Sequence, residues 1–158
     1  MIRKAVAADA SRLGEILIFA KRTTYRPIFQ NDEASFNEMQ VLDLALTYRD
    51  APETLKNVYV YDDGIVRGMM SWGISPVRWE LKELYVDPFF QGQHIGRALL
   101  THFIDSAREQ HIPRLTLWVL EKNTPARGFY EKFGFSQNGG KKLEENTEEF
   151  CLEYELVL

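Results

Sequence analysis

The most informative stretch of this chain is Trp79–Leu100, WELKELYVDPFFQGQHIGRALL. It begins as an apolar, β-prone run that ends at Val86, and Asp87-Pro88 then breaks the strand. The loop Gln91–Gly96 follows, and a helical pattern begins after it. Such a strand-loop-helix junction leaves several backbone N–H groups at the helix N-terminus without an intrahelical partner. Because these groups bind anions, the stretch predicts a site for a phosphate-bearing cofactor.

The bulk composition predicts one globular domain over residues 1–158. Hydrophobic residues make up 45% of the chain and charged residues 27%, which is ordinary for a protein with a full core. The formal net charge of −4 disfavours broad electrostatic binding to nucleic acid. No run approaches the ~20 apolar residues of a membrane span, and Arg3-Lys4 is not followed by a signal-peptide core. We therefore expect a cytoplasmic protein without a nucleic-acid or membrane partner.

The cysteine and histidine residues give no sign of a metal site or a thiol nucleophile. Cys151 is the only cysteine, and its place in the apolar run 150–152 favours a buried packing role. His94, His102 and His111 do not cluster with cysteine or carboxylates at the spacing of metal ligands. The sequence therefore predicts no bound metal.

Hydrophobic periodicity predicts the element order β α α β β β α β α β β. This order indicates an α/β (α+β) domain with a mixed central sheet of six to seven strands and about four flanking helices. The predicted strands are Ile2–Val6, Val58–Tyr61, Ile65–Ile74, Glu80–Val86, Leu115–Leu120, one from Phe135 onward, and Phe150–Leu158. The predicted helices run from Asp9 or Ser11 to about Arg22, over Phe36–Arg49, from the glycine loop towards Pro113, and from a Thr124 cap to Phe133.

The segment 23–29, TTYRPIF, is predicted to be an irregular aromatic loop that Arg26-Pro27 closes off. Its aromatic side chains could pack down as a lid on the core, or they could contribute to a substrate site. The sequence favours neither reading.

The glycine loop by itself is a weak signal. Its spacing, Gly92-x-x-x-Gly96, differs from the dinucleotide fingerprint, and the Gly-Lys-Ser/Thr of a Walker loop is absent. The two glycines could also do no more than permit a tight turn between strand and helix. The choice between a phosphate-binding loop and a purely structural turn therefore depends on the surrounding sequence.

Two blocks of the sequence together carry a family resemblance. Residues Val86–Leu100 resemble motif A of the GNAT N-acetyltransferases, written Q/R-x-x-G-x-G/A. Residues Leu115–Phe135, LTLWVLEKNTPARGFYEKFGF, resemble motif B of the same family. The blocks occur in the expected order, and with the element order the resemblance covers essentially the whole chain, least securely at residues 20–56.

The resemblance implies a GNAT-like single domain that binds acetyl-CoA (coenzyme A). It implies that the strands Glu80–Val86 and Leu115–Leu120 are a parallel pair that splays apart, so that the pantetheine arm pairs with the first of them. It also implies that the pyrophosphate lies on the backbone N–H groups of the glycine loop. The implied cofactor-binding residues are Leu84, Tyr85, Val86, Gln91, Gly92, Gln93, His94, Ile95, Gly96, Arg97 and Asn123.

Acetyl transfer to an amine needs a base, a donor for the oxyanion and an acid for the leaving thiolate. By resemblance, Glu80 is the first choice for the base and Glu83 the reserve, although both could be surface carboxylates and water could relay the proton. Tyr130 matches the family's acid, since a phenol can donate a hydrogen bond to a developing thiolate. The backbone N–H of Val86 is the implied oxyanion donor. Asn123 could bind the cofactor arm or hold the splayed strands.

His94 departs from the family pattern, because it stands where motif A has its first glycine. Glycine there permits a left-handed backbone, which histidine adopts less readily, although it is among the residues enriched at positive φ. We expect a tolerated substitution in which the backbone N–H still faces the cofactor and the imidazole has no catalytic role.

The function predicted from these features is acetyl-CoA-dependent N-acetylation of a primary amine, on a small molecule or a peptide, by direct attack. The alternatives are a non-catalytic module that binds or senses acyl-CoA, and a domain that uses the same loop for another nucleotide. Acceptor contacts are expected from Tyr25, Phe29, Asp32, Glu33 and Tyr48, which suit a cation with apolar parts. The resemblance is also compatible with a homodimer.

Overall fold

The computed structural model describes residues 1–158 and contains one seven-stranded mixed sheet. The strand order is β1-β2-β3-β4-β5-β7-β6, and β4 and β5 form its single parallel pair. This confirms the predicted fold class and element order. The strands are β1 (Ile2–Lys4), β2 (Val58–Asp62), β3 (Val66–Ile74), β4 (Trp79–Val86), β5 (Arg114–Leu120), β6 (Ser136–Leu143) and β7 (Phe150–Val157). The helices are α1 (Ala10–Phe29), α2 (Val41–Asp50), α3 (Ile95–Glu109) and α4 (Thr124–Glu131).

Helices cover the two faces of the sheet and enclose two hydrophobic cores. One core packs α3 against β3, β4, β5 and β7, and its largest fully buried side chains include Phe103 and Tyr154. The other packs α1 against β2 and β3, with Leu13, Ile16 and Val60 fully buried. None of the helices combines the length and the apolar composition that crossing a membrane requires.

Helix α1 extends beyond its predicted end, so the prediction of a loop at 23–29 was wrong. The helix continues through Pro27 to Phe29 and ends at Gln30, which has φ 51° and donates its N–H to the Arg26 carbonyl. A proline inside a helix removes one backbone hydrogen bond, a loss that tertiary contacts can offset. Arg22 supplies such contacts, because its guanidinium donates to the carbonyls of Ser35 and Met39 at 2.9 Å each.

Two further helix boundaries differ from prediction. Helix α2 begins at Val41 instead of Phe36, because residues Glu33–Asn37 form a separate wide turn of the π type. Helix α4 ends at Glu131, and its cap is Asn123 instead of Thr124: the Asn123 Oδ1 atom accepts from the Ala126 N–H at 3.3 Å. Asparagine is at least as good a cap as threonine, so the helix starts one residue earlier than the Thr124-Pro125 pair suggested.

A β-bulge in β4 opens the sheet. Pairing with β3 passes from Trp72↔Leu81 to Ser71↔Glu83, which leaves Lys82 without a partner. The parallel pairing with β5 stops at the same place, since Leu81↔Leu117 is its last pair. Beyond the bulge the two strands therefore separate, as the resemblance implied.

The bulge also changes which face of the sheet each residue of β4 occupies. Before it, Trp79 and Leu81 lie in the core beneath α3, and after it Leu84 packs against that same core. Tyr85 packs against the core on the α1 side. One inserted residue thus reverses the alternation along the strand and turns Glu83 towards α1.

Helix α3 approaches β3 closely at Gly68. A Cβ atom at this position would lie 2.8 Å from Ile95 Cγ2 and 3.1 Å from Leu99 Cδ1. Gly73 on the same strand has room, with Lys82 Cε as the nearest atom at 3.4 Å. The glycine at 68 therefore fixes how near the first turn of α3 comes to the sheet.

Candidate active site

The separated strands open into a cleft of about 1130 Å³. Its walls are β4 and β5, the glycine loop, α4, and the C-terminal half of α1, which contributes Ala20, Thr24, Tyr25 and Ile28. From Lys82 to Val86 the edge of β4 that pointed towards β5 has no strand partner. An extended, amide-bearing chain could therefore bind there through backbone hydrogen bonds.

The glycine loop lies at one end of the cleft and has the backbone geometry of an anion site. Gly92 has φ 78°, and His94 takes the left-handed conformation with φ 62° and ψ 12° directly before α3. The first turn of α3 has no side-chain cap, so its N–H groups are available to a ligand. Arg97, Lys122 and Lys132 also line the cleft and add positive charge.

The structure gathers nearly all of the predicted cofactor-binding residues around this cleft. Gln93 is the exception, because it does not line the cleft and its Oε1 atom accepts from Arg67 Nη1 at 3.3 Å. The predicted residues that do line the cleft are Leu84, Tyr85, Val86, Gln91, Gly92, His94, Ile95, Gly96, Arg97 and Asn123.

A buried carboxylate ties the start of the glycine loop to α1. The Asp87 Oδ1 atom accepts from the Phe89 N–H at 2.9 Å, and Oδ2 accepts from Arg12 Nη2 at 2.5 Å. The Arg12 guanidinium also donates to the Val66 carbonyl on β3, at 2.9 and 3.1 Å. These contacts hold α1, β3 and the loop in one fixed arrangement.

Three tyrosines meet where the strands part. The hydroxyls of Tyr25 and Tyr85 are 3.0 Å apart, and both residues line the cleft together with Tyr130 from α4. Burial raises the pKa of Tyr25 to about 12 and raises the pKa values of Tyr85 and Tyr130 as well. All three phenols are therefore protonated at neutral pH and can act as hydrogen-bond donors.

Glu83 lies on the α1 side of this tyrosine cluster, although it does not line the cleft itself. Its Oε1 atom is 3.6 Å from Lys21 Nζ, and the two side chains are 25% and 27% exposed. Burial raises the pKa of the Glu83 carboxyl, while the Lys21 charge opposes that rise. The charge of Glu83 in turn raises the pKa values of Tyr25 and Tyr130. A carboxylate with a raised pKa close to a cleft is suited to general-base catalysis.

Glu80, the first choice from the sequence, occupies a different environment. It lies before the bulge, where β4 still pairs with β5 through Glu80↔Thr116, and it does not line the cleft. Its carboxylate is 2.7 Å from the exposed ammonium of Lys82. The structure thus places Glu83, and not Glu80, beside Tyr25 and Tyr130.

The residues expected to contact the acceptor fall into three groups. Tyr25 lines the cleft. Tyr48 is buried in the core on the α1 side, where burial and the charge of Glu83 raise its pKa to about 12. Phe29 and Asp32 line a second cavity of about 660 Å³, which residues 146–149 also line. Glu33 accepts a hydrogen bond from the Asn37 amide within its own turn and lines neither cavity.

Sequence reasoning missed Lys21 and Glu144. The charge of Glu144, in the connection between β6 and β7, raises the pKa values of Tyr25 and Glu83, and its carboxylate accepts from the Cys151 thiol at 3.0 Å. Burial raises the pKa of that thiol to about 12, in agreement with the predicted packing role of Cys151. Lys21 and Tyr25 are four residues apart, a helical spacing that would have indicated a shared face if α1 had been predicted to its full length.

The cleft fits coenzyme A by its own features. It has an anion site at one end, an unpaired strand edge along its wall, and a cluster of proton donors where the strands part. These features match a pyrophosphate, an amide-bearing arm and a reacting thioester in that order. No group of three or more histidine, cysteine or carboxylate side chains is arranged to hold a metal ion.

The split parallel pair and the uncapped helix start at its mouth fit the class of transferase that the resemblance implied, one that takes its acyl group from coenzyme A. The model of the Acetyltransferase (GNAT) family matches residues 20–135 of the chain. Because this match covers well over half of the sequence, the chain belongs to the GNAT acetyltransferase family.

Individual relatives are similar over shorter segments. The chain is 40% identical over 62 residues to the peptidyl-lysine N-acetyltransferase YjaB of Salmonella typhimurium, a segment that covers 39% of each protein. It is 40% identical over 57 residues to the ribosomal protein bS18-alanine N-acetyltransferase of Escherichia coli, which covers 36% of this chain and 38% of that enzyme. The aligned segments thus span less than two fifths of the length of these two relatives.

The fold as a whole is similar to that of the PaiA N-acetyltransferase from Thermoplasma acidophilum in complex with coenzyme A. The two chains are 21% identical and superpose with a TM-score of 0.68 over 97% of this chain and 96% of that one. The similarity at this level of identity concerns the fold.

Proposed function

We propose that the protein is an acetyl-CoA-dependent N-acetyltransferase that acts on a primary amine of a small molecule or peptide by direct attack. The observation that carries this proposal is the continuity of the cleft. An anion site, a free strand edge and the Tyr25–Tyr85–Tyr130 cluster follow one another along a single opening, with Glu83 directly behind the cluster. Membership of the GNAT family supports the same activity.

We assign the binding of the cofactor to the backbone of the glycine loop and to the free edge of β4. The N–H groups at the start of α3 would hold the pyrophosphate, with Arg97 and Lys132 available to the phosphates. The backbone at Leu84 and Val86 would hold the amide-bearing arm. Bound acetyl-CoA supplies the acetyl group as a thioester. Asn123 is engaged as the cap of α4, which favours a role in positioning Tyr130 over direct cofactor binding.

We assign the proton transfers to Glu83 and Tyr130. An amine must be neutral to attack, so the Glu83 carboxylate accepts a proton from the acceptor's ammonium, directly or through water. Because the pKa of Glu83 is raised, it lies closer to neutral pH than that of an ordinary glutamate, which suits a base that works at physiological pH. Tyr130 passes its phenol proton to the departing sulfur while its oxygen receives, directly or through water, the second N–H proton that the attacking nitrogen loses, so the phenol is restored. The Val86 N–H stabilises the developing oxyanion.

The acceptor is proposed to be a cationic amine with apolar parts. The aromatic ring of Tyr25 lines the cleft, and the negative charges of Glu83 and Glu144 are near enough to raise the pKa of its phenol. The names of the two relatives, a peptidyl-lysine and a ribosomal protein alanine N-acetyltransferase, favour testing peptide amines first.

The test is the release of free CoA from acetyl-CoA in the presence of an amine panel that includes lysine and alanine peptides, with mass spectrometry of the products. Glu83→Gln should lower kcat/KM by about 10²–10⁴-fold, the usual contribution of a general base. Glu80→Gln is the matched control, because it makes the same change on the same strand at a carboxylate that pairs with Lys82 and is not beside the tyrosine cluster. It should stay within about threefold of wild type, as expected for a surface carboxylate. A larger loss from Glu80→Gln than from Glu83→Gln would contradict the assignment of the base.

A second measurement separates the alternatives. Calorimetric titration with CoA, ATP and NAD should show binding of CoA alone. A protein that binds CoA but acetylates no amine of the panel would be the non-catalytic acyl-CoA module, and a preference for ATP or NAD would exclude the acetyltransferase.

A further inference from the structure

We propose that the ammonium of Lys21, on α1, occupies the position beside Glu83 that the ammonium of the acceptor takes when it binds, and that the cationic acceptor displaces the Lys21 side chain. Lys21 would then be a positioning residue that keeps the base ionised until the acceptor arrives. The inference rests on the proposed function, since it takes Glu83 as the base.

The contacts of Lys21 are those that an acceptor amine would need. Its ammonium lies 3.6 Å from the Glu83 carboxylate and 5.8 Å from the centroid of the Tyr85 ring. A carboxylate and an aromatic face are the two groups that recognise a primary ammonium. Lys21 reaches them from the segment of α1 whose residues Ala20, Thr24 and Tyr25 line the cleft. A lysine side chain is flexible, so it can leave this place without disturbing the helix.

No other group around Glu83 places a positive charge on it, although a hydrogen bond from Tyr85 also acts to lower the pKa of its carboxyl. Tyr25 from α1, Tyr48 from α2, Tyr130 from α4 and Tyr85 on β4 itself are phenols whose pKa values lie above their usual range. Glu144, from the connection between β6 and β7, carries a negative charge that acts against the ionised form of Glu83. Lys82, the neighbouring cation on β4, is directed to Glu80 at 2.7 Å.

This arrangement has a consequence for both the base and the choice of acceptor. Burial favours the protonated, non-basic form of Glu83, and the Lys21 charge opposes it. An acceptor that enters as an ammonium replaces one positive charge by another and delivers the proton that Glu83 accepts. A neutral alcohol or an anionic amine could not displace Lys21 in this way, so the pair would select cationic amines.

The test is a pH titration of the Glu83 carboxyl, monitored by ¹³C NMR of the glutamate side chains. The Glu83 signal is assigned as the one that Glu83→Gln removes. In Lys21→Ala the pKa of Glu83 should rise by about one unit, the lower end of the effect of an opposite charge at this distance. Lys21→Arg should keep the wild-type value. Lys82→Ala is the matched control on β4 and should leave the titration of Glu83 unchanged. Thermal unfolding of each variant shows whether it is folded, and Lys21→Gln provides a second neutral variant.

Butylamine serves as the probe for displacement. In Lys21→Ala, millimolar butylammonium should return the pKa of Glu83 towards the wild-type value, because the probe takes the place that the lysine has left. Equal shifts in Lys82→Ala and Lys21→Ala, or no effect of butylamine, would overturn the inference. The CoA-release assay is independent of this titration. A wild type that transfers acetyl groups while Glu83 titrates identically in every variant would refute the role of Lys21 and leave the proposed function intact.

Discussion

Replacing His94 by glycine should stabilise the protein and should not weaken its binding of CoA. His94 has φ 62° and ψ 12°, and a left-handed backbone costs an L-residue about 1–2 kcal/mol. Glycine removes that strain but loses more conformational entropy on folding, which costs about 0.5–1 kcal/mol. The imidazole is exposed and makes no hydrogen bond, so little packing is lost with it. The net expectation is a gain of about 0.5–1 kcal/mol in the free energy of unfolding.

For a chain of 158 residues this gain corresponds to a rise in Tm of about 1–4 °C. Thermal unfolding followed by circular dichroism measures it, and calorimetric titration with CoA measures the affinity, which should be equal or higher. Gly92→Ala is the matched control in the same loop, because Gly92 has φ 78° with no atom within 4 Å of a Cβ position. It should destabilise the protein by about 1 kcal/mol through backbone strain alone. A His94→Gly protein that is less stable than wild type would contradict the backbone strain assigned to His94. A variant that binds CoA much more weakly would mean that the imidazole takes part in binding.

Three further predictions concern the elements that support the cleft. Gly68→Ala should lower the free energy of unfolding by about 1–3 kcal/mol and weaken CoA binding, because its Cβ would lie 2.8 Å from Ile95, whereas Gly73→Ala should have a much smaller effect on both. Asp87→Asn should cost about 2 kcal/mol in chemical denaturation, since a buried charge-assisted hydrogen bond is lost, and an unchanged denaturation midpoint would contradict this. Glu83→Gln should raise the Tm at neutral and alkaline pH, because folding raises the pKa of Glu83 and thus disfavours its ionised form. This gain in Tm should disappear as the pH falls below the pKa of an unfolded glutamate, where Glu83 is protonated in both states. A gain that persists at that low pH would contradict the raised pKa of Glu83.

Most of the architecture follows from local sequence signals. The Asp87-Pro88 break, the glycine loop and the periodic helix after it are readable because each depends on a few neighbouring residues. The left-handed conformation of His94 was expected on the same ground, from its place in the motif. The end of α1 was misjudged because Pro27 is a strong local signal, which the contacts of Arg22 with a distant turn override.

Some features of the candidate site were predictable from the sequence, and others were visible only in the structure. The motif predicts that the end of β4 and the glycine loop bind the cofactor, and the structure gathers both around one cleft. The resemblance put Glu80 before Glu83, but the sequence of one short strand does not show which of the two carboxylates lies beside the tyrosine cluster. Lys21 lies more than sixty residues away along the chain and meets Glu83 only through the packing of α1 on the sheet.

The order of the elements, the strand-loop-helix junction at Trp79–Leu100 and the family all follow from the sequence, because they depend on residues that are near one another in the chain. The tertiary structure alone decided which carboxylate faces the tyrosine cluster. Strict alternation would place Glu83 on the same face as Trp79 and Leu81. The unpaired Lys82 shifts the alternation by one residue and turns Glu83 towards Lys21 and Tyr25. Such a bulge arises from the way in which β4 pairs with β3, and the local sequence of β4 does not predict this pairing between strands.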